Sequence, residues 1–261
     1  MSKSKWFPYR ATAPSPPKAR VICFHHAGGT AMMWNKFIEN KDFEVCGVQL
    51  PGREAREPEK KLNNVPDVVA TVYPELKALI SGDVPYVMVA HSMGAWCLWG
   101  MLERIKLERA KDASIRLPLA VFISSFPPPF ITTPVWKQNN ASMPEEEFKA
   151  ELRLWGVNEA VFRPTIWPSF HDMLRQDFAI FDSYKHTQHS TFDGDSAVHA
   201  FLFWATADTR ITEADLAAWS EIFPSNTQLK LEGHKHLFVM DKALTLKWGE
   251  GIAKILQEKL A

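Results

Sequence analysis

Ser92 sits in the run Val87-Met-Val-Ala-His-Ser-Met-Gly-Ala95, where an apolar, strand-like segment meets small-His-Ser-x-Gly and an apolar, helix-like segment follows at once. A serine hydroxyl is a weak nucleophile and needs a base to take its proton. A sharp strand-to-helix turn lifts such a hydroxyl clear of its strand, and only small neighbours fit beside it. Gly94 and Ala90 fill those two places, Ala90 adding one methyl where glycine is usual. A bare Ser-x-Gly would only cap a helix. In its full strand–turn–helix context Ser92 reads as a nucleophile, and the chemistry as attack on an acyl carbon.

The remaining parts of such a machine follow in order. Phe201-Leu-Phe-Trp-Ala-Thr-Ala-Asp208 is an apolar strand, a short turn and a carboxylate that could orient a histidine and balance its charge. Asp193 and Asp195 precede that strand and Asp215 lies within a helix, so Asp208 is preferred. The base is His234 or His236, in Leu231-Glu-Gly-His-Lys-His-Leu-Phe238. His-x-His could also hold a metal, but no third ligand accompanies it at a recognisable spacing, and no metal is expected. An oxyanion requires two convergent backbone N–H groups. One belongs to Met93, directly after the nucleophile; the other belongs to the loop His25-His26-Ala27-Gly28-Gly29, whose glycines allow close approach. The two histidines of that loop read as shaping residues, not acid–base groups.

Strands alternating with helices must position these groups. Arg20–Phe24, Phe43–Leu50, Tyr86–Ala90, Leu119–Ser124, Val198–Ala205 and Thr227–Leu231 read as strands. Helices are predicted over Ala31–Glu39, Val65–Ile80, Met93–Ala110, Glu213–Phe223 and Ala243–Leu260. This rhythm predicts a mostly parallel, doubly wound sheet, and the order Ser, Asp, His is that of α/β-hydrolases. The chain is read as one domain over residues 1–261. Residues 126–196 hold no clear strand and read as a helical lid inserted between two strands. A capping box at Ser142 and Glu145 opens its first helix, with Phe148, Leu152 and Trp155 at helical spacing and Gly156 as the stop. Phe170, Met173, Leu174, Phe178 and Phe181 mark its second.

Bulk properties narrow the classes. Lys+Arg and Asp+Glu are both 30, so no net field favours nucleic acid or an anionic membrane, and neither is expected as a partner. Cys23, Cys46 and Cys97 form no disulfide or zinc pattern. The amino-terminal Met-Ser-Lys-Ser-Lys-Trp-Phe-Pro lacks a signal-peptide core, and no apolar run spans a bilayer, so a cytoplasmic location is expected. Trp6 and Phe7 are candidate anchors of an otherwise irregular start. The basic run Arg104, Lys106, Arg109, Lys111 and Arg116 is interrupted by Glu103, Glu108 and Asp112 and reads as a solvated helix face, with docking of an acidic partner as the alternative.

Together these motifs resemble the type II thioesterases that accompany polyketide, nonribosomal-peptide and fatty-acid synthases. Phe24-His-His-Ala-Gly-Gly29 is similar to that family's Pro-His-Ala-Gly-Gly loop, with His25 in place of proline. Gln49-Leu-Pro-Gly-Arg-Glu-Ala-Arg56, followed by Glu57-Pro58, resembles its Leu-Pro-Gly-Arg signature, and Leu174-Arg-Gln-Asp-Phe178 with Tyr184 resembles the end of its lid. Asp208-Thr-Arg-Ile-Thr212 is similar to its Asp-Pro-x-Val-Thr turn. The histidine motif departs: Gly233 stands one residue further from the aligned histidine, and the longer forward match selects His236 over His234. The same alignment carries the oxyanion role to Ala27 and Met93. The Leu-Pro-Gly-Arg loop reads as structural.

The resemblance implies hydrolysis of acyl groups from the phosphopantetheine arm of acyl or peptidyl carrier proteins. The pantetheine then belongs to the substrate, and no cofactor is expected. A carboxylesterase or lipase on oxyesters, an acyltransferase using the same acyl-enzyme, and a non-catalytic binding protein on the same fold are the alternatives.

Overall fold

The computed structural model describes residues 4–10, 16–131, 142–186 and 190–261. The first strand, β1 (Ala19–Phe24), is followed by β2 (Phe43–Gly47), helix α1 (Val65–Ile80), β3 (Tyr86–His91), α2 (Gly94–Arg109) and β4 (Ala120–Ser124). Helices α3 (Glu145–Leu154) and α4 (Trp167–Asp182) come next, then β5 (His199–Ala205), α5 (Glu213–Ala217), β6 (Asn226–Leu231) and α6 (Lys242–Leu260). All six strands are parallel, in the order β2-β1-β3-β4-β5-β6. The sheet is that of an α/β-hydrolase, as its alternating pattern predicts.

Period-two side chains divide the core. Ile22, Phe24, Met88, Ala90, Val121, Ile123, Ala200 and Leu202 face one layer with α1, α2 and the inserted helices. Val21, Cys23, Val87, Val89, Phe122, Phe201 and Phe203 face the other, against Trp34, Phe37 and the Trp248–Ile252–Leu256 stripe of α6. Both faces being covered, the inner strands are nearly continuous apolar runs, while the edge strand β6 is polar and partly exposed. The three cysteines are buried and unpaired, and burial holds their thiols above the ordinary range, Cys46 and Cys97 at about 12. Trp6 and Phe7 are buried in the first layer, so the amino-terminal segment is anchored.

Two local readings are corrected. The helix predicted over Ala31–Glu39 is a single 3₁₀ turn, Ala31–Trp34. Lys36 adopts a φ of +63°, which no helix tolerates, while Trp34 and Phe37 turn inward to pack on each other and on Trp248. Tertiary packing overrides local propensity there. The Ser142–Glu145 capping box does not form: α3 begins at Glu145 with Pro144 at its cap, and Glu145, Glu146 and Glu147 crowd the first turn. Those carboxylates favour the positive end of the helix dipole without a side-chain cap. Gly156 does end α3, at φ +84°, with Gly156 N–H donating to Arg153 O and Val157 N–H to Leu152 O.

The segment read as a lid, residues 126–196, carries α3 and α4 and no strand among its described residues; 132–141 and 187–189 lie outside them. Its apolar stripes turn inward: Phe148, Leu152, Trp155, Leu174, Phe178 and Phe181 join the first core layer.

Candidate active site

The order of strands reverses at β1 and β3, which are neighbours in register, Phe24 beside Ala90. Ligands of open parallel sheets bind at such a switch point, beyond the carboxyl ends of the strands. Here the loop after β1 and the turn after β3 meet. A Cβ added at Gly94 would lie 2.5 Å from Phe24 O and 2.8 Å from His25 O, so only glycine lets α2 start this close to the loop. Ala90 is fully buried within β3, and its methyl is accommodated.

Ser92 adopts φ +53°, a left-handed conformation that costs a non-glycine residue about 1–3 kcal/mol and persists only where its surroundings enforce it. Ser92 N–H donates to Ser124 O at 3.0 Å, tying the turn to β4. Beneath it, His91 Nδ1 lies 2.7 Å from Ser124 Oγ. Burial, with His236 and His26 close by, holds His91 well below the usual imidazole range, so its ring is neutral.

The structure brings three of the sequence-derived residues into one chain of hydrogen bonds. Ser92 Oγ is 2.9 Å from His236 Nε2, and His236 Nδ1 is 2.7 Å from Asp208 Oδ2. The Asp208 side chain is fully enclosed. Its second oxygen accepts the N–H groups of Arg210 at 2.8 Å and Ile211 at 3.2 Å. Asp208 therefore both shapes its turn and orients the imidazole. A carboxylate only accepts, so His236 Nδ1 carries the proton and Nε2 is free to accept from Ser92. His234 is elsewhere: its Nδ1 lies 2.8 Å from Glu232 O, and its ring meets the edge of Phe238. Asp215 completes a capping box with Thr212 at the start of α5.

Ser92 and His236 border a cleft with His26 and Ala27. Phe126, Trp155, Val157, Phe178, Phe181 and Leu237 form its apolar wall. Most of that wall belongs to the insertion. The Trp155 ring stands edge-on to His236, centroids 4.7 Å apart. Met93 is buried at the amino-terminal end of α2, where free N–H groups point out of the helix. An apolar wall with a few convergent polar groups suits an acyl chain.

Sequence reasoning missed how the insertion is attached. Two buried ion pairs do this. Arg53, from the Leu-Pro-Gly-Arg run, reaches Asp177 of α4 with contacts of 2.6 and 2.9 Å, and both side chains are almost fully enclosed. Arg210, beside Asp208, pairs with Glu151 of α3, and Glu151 Oε1 also accepts Trp155 Nε1–H at 3.2 Å. A signal was present: Asp177 stands on the apolar face of α4, three residues after Leu174 and four before Phe181. An acid in such a stripe requires a buried partner. The second arginine of the run, Arg56, is also buried, stacking on Trp6 at 3.6 Å, donating to Gln49 O at 2.6 Å and pairing with Glu59. The basic run after the elbow is largely tied up locally, Arg104 and Lys111 on Glu108 and Arg116 on Asp83.

Comparison with known proteins agrees with this fold. The family model for the thioesterase domain matches residues 19–247. The gramicidin S biosynthesis protein GrsT of Aneurinibacillus migulanus is 33% identical over 223 residues, covering 84% of this chain and 81% of GrsT. Two solved structures share the fold. The type II thioesterase BorB from the borrelidin biosynthetic cluster has a TM-score of 0.75 at 24% identity, over 97% of this chain and 96% of BorB. YbtT, the type II thioesterase of the yersiniabactin NRPS/PKS pathway, has a TM-score of 0.78 at 20% identity, over 95% and 97%. The extent of the family match and the identity to GrsT show that this chain belongs to the thioesterase family.

Proposed function

We propose that the protein is a type II thioesterase that hydrolyses acyl groups from the phosphopantetheine arm of acyl or peptidyl carrier proteins, with Ser92, His236 and Asp208 as its triad. The observation that carries this reading is the unbroken chain Ser92 Oγ, His236 Nε2, His236 Nδ1, Asp208 Oδ2, at 2.9 and 2.7 Å, beside an apolar cavity. The similarity to a protein of gramicidin S biosynthesis supports service to a nonribosomal-peptide or polyketide assembly line.

In this reaction Ser92 Oγ attacks the thioester carbonyl carbon while its proton passes to His236 Nε2. The carbonyl oxygen becomes an oxyanion, held by the N–H groups of Ala27 and Met93. The C–S bond breaks and the pantetheine sulfur leaves, taking up the proton from His236. Water then attacks the acyl-serine, His236 accepts its proton, and the carboxylic acid departs as Ser92 is reprotonated. Asp208 holds the imidazole in the tautomer this sequence needs. The aromatic wall supplied by α3 and α4 receives the acyl chain.

The test is steady-state hydrolysis of acyl-pantetheine thioesters and of p-nitrophenyl esters by the wild type and by Ser92→Ala, His236→Ala and His234→Ala. Ser92→Ala and His236→Ala should each lose about three or more orders of magnitude in kcat, with His234→Ala near wild type. Loss of activity in His234→Ala with retention in His236→Ala would overturn the assignment of the base. Oxyester hydrolysis without thioester hydrolysis would replace the thioesterase reading with an esterase.

A further inference from the structure

Three side chains converge on the loop that holds Ala27, and none of them reaches Ser92. In a trans peptide the carbonyl of His26 and the N–H of Ala27 point in opposite directions, so whatever fixes the carbonyl aims the amide. His26 O is fixed twice. It accepts Gly29 N–H at 2.9 Å and lies 2.8 Å from His25 Nδ1. A carbonyl only accepts, so His25 Nδ1 is the donor. Burial lowers His25 to about 3, with the nearby Arg53 charge acting in the same direction, so the ring stays neutral and its tautomer is settled. Two further peptides of the loop are gripped as firmly. Gly28 N–H donates to Asp177 Oδ2 at 2.7 Å, and Arg53 Nη1 donates to Gly29 O at 2.8 Å. The same guanidinium and carboxylate then close on each other. The turn itself tolerates only glycine at its end, where an added Cβ would sit 2.9 Å from His26 O.

We propose that His25, Arg53 and Asp177 are positioning residues that aim the Ala27 N–H at the developing oxyanion, which makes helix α4 of the insertion part of the machinery that stabilises the transition state. This rests on the reading of Ser92 as nucleophile and Ala27 as donor. Arg53 and Asp177 act on the backbone from opposite sides, the carboxylate on a donor and the guanidinium on an acceptor. Asp177 accepts three N–H groups on its two oxygens, so an asparagine there would turn its own NH2 toward one of them, and an apolar residue at 53 would release the Gly29 carbonyl. His25, standing where similar loops have proline, supplies the donor that proline lacks.

The experiment measures kcat and KM for an acetyl-pantetheine thioester and, separately, the rate at which a fluorophosphonate labels Ser92. Asp177→Asn and His25→Leu should lower kcat and the labelling rate about 100-fold with KM unchanged, the loss expected when an oxyanion donor is misaimed. His25→Asn should recover most of that loss, because its amide restores an N–H near the position of Nδ1. Glu44→Gln serves as a reference for stability alone: its carboxylate pairs with Arg10 and Arg20 on the β1–β2 side. That variant should unfold at lower urea with kcat kept. Wild-type kcat in folded His25→Leu and Asp177→Asn would overturn the proposal, as would losses that merely follow the unfolded fraction. If Asp177→Asn does not fold, the His25→Leu and His25→Asn pair decides. If the wild type cleaves no thioester, the proposed function fails while the labelling rates still report on the loop.

Discussion

The two ion pairs that fasten the helical insertion hold different things. Arg53–Asp177 is enclosed and grips backbone: one peptide N–H and one carbonyl of the loop after β1. Arg210–Glu151 keeps its arginine 12% exposed and grips a ring, Trp155, over which the guanidinium also lies at 5.0 Å. The first pair sets where hydrogen-bond donors point. The second sets where one wall of the cavity stands. An insertion can therefore be joined to its frame at two places with separate effects, one on the rate of the chemical step and one on what fits beside it.

The largest expected effect separates the pairs by stability. Asp177→Ala leaves the Arg53 charge enclosed and unpaired and orphans Gly28 N–H, so urea unfolding should show a loss of about 3–5 kcal/mol. Glu151→Ala leaves Arg210 a path to water and should cost less, about 1–3 kcal/mol. Equal losses would break the distinction. A double replacement, Arg53→Met with Asp177→Leu, sharpens it: apolar side chains of similar volume should return stability to within about 2 kcal/mol of wild type while kcat stays low. Recovery of kcat with stability would show that packing alone orders the loop.

The smallest effect per step is a pH slope, to which the first region contributes two rings alongside the buried His91. His25 and His26 are both held near 3, burial being the main cause in each, with His236 and Arg53 adding to it and Asp177 opposing it at His26. Unfolded, each titrates near its ordinary value, so between about pH 3 and 6.5 the unfolded chain binds more protons than the native one. Stability then rises with pH across that window and is lost as pH falls through it, by up to about 1.4 kcal/mol per pH unit for each ring. Urea midpoints between pH 4 and 7 should show this slope, and His25→Asn should remove one proton's share. An unchanged slope in that variant would mean that His25 titrates alike in both states.

How far the site could be read depended on whether its geometry is local. Ser92, Met93 and Gly94 are consecutive, and the turn they form is written in their sizes. Asp208 stands just beyond β5 and His236 follows β6, so chain order placed both. His236 was separable from His234 by the forward match, and the structure separates them by a hydrogen bond to Asp208 on one side and to a backbone carbonyl on the other. The inner strands were legible because continuous apolar runs are what a sheet covered on both faces requires, while the exposed edge strand β6, Asn-Thr-Gln-Leu-Lys-Leu, carries only an alternating pattern. Less legible were contacts between distant residues. Asp177 meets Gly28 across 149 positions, and nothing local to either residue names the other. The failed helix at 31–39 has the same origin. Trp34 is held by Gly47, where an added Cβ would lie 2.9 Å from the indole, and by Trp248 at the far end of the chain.

The buried cysteines acquire a meaning from the proposed chemistry. Each turnover would release a free pantetheine thiol beside the protein, and such a thiol, once oxidised to a disulfide, exchanges with any accessible thiolate. Cys23, Cys46 and Cys97 are closed off from solvent and held protonated by their surroundings. The protein's own thiols thereby stay outside any disulfide exchange that the oxidised product could enter.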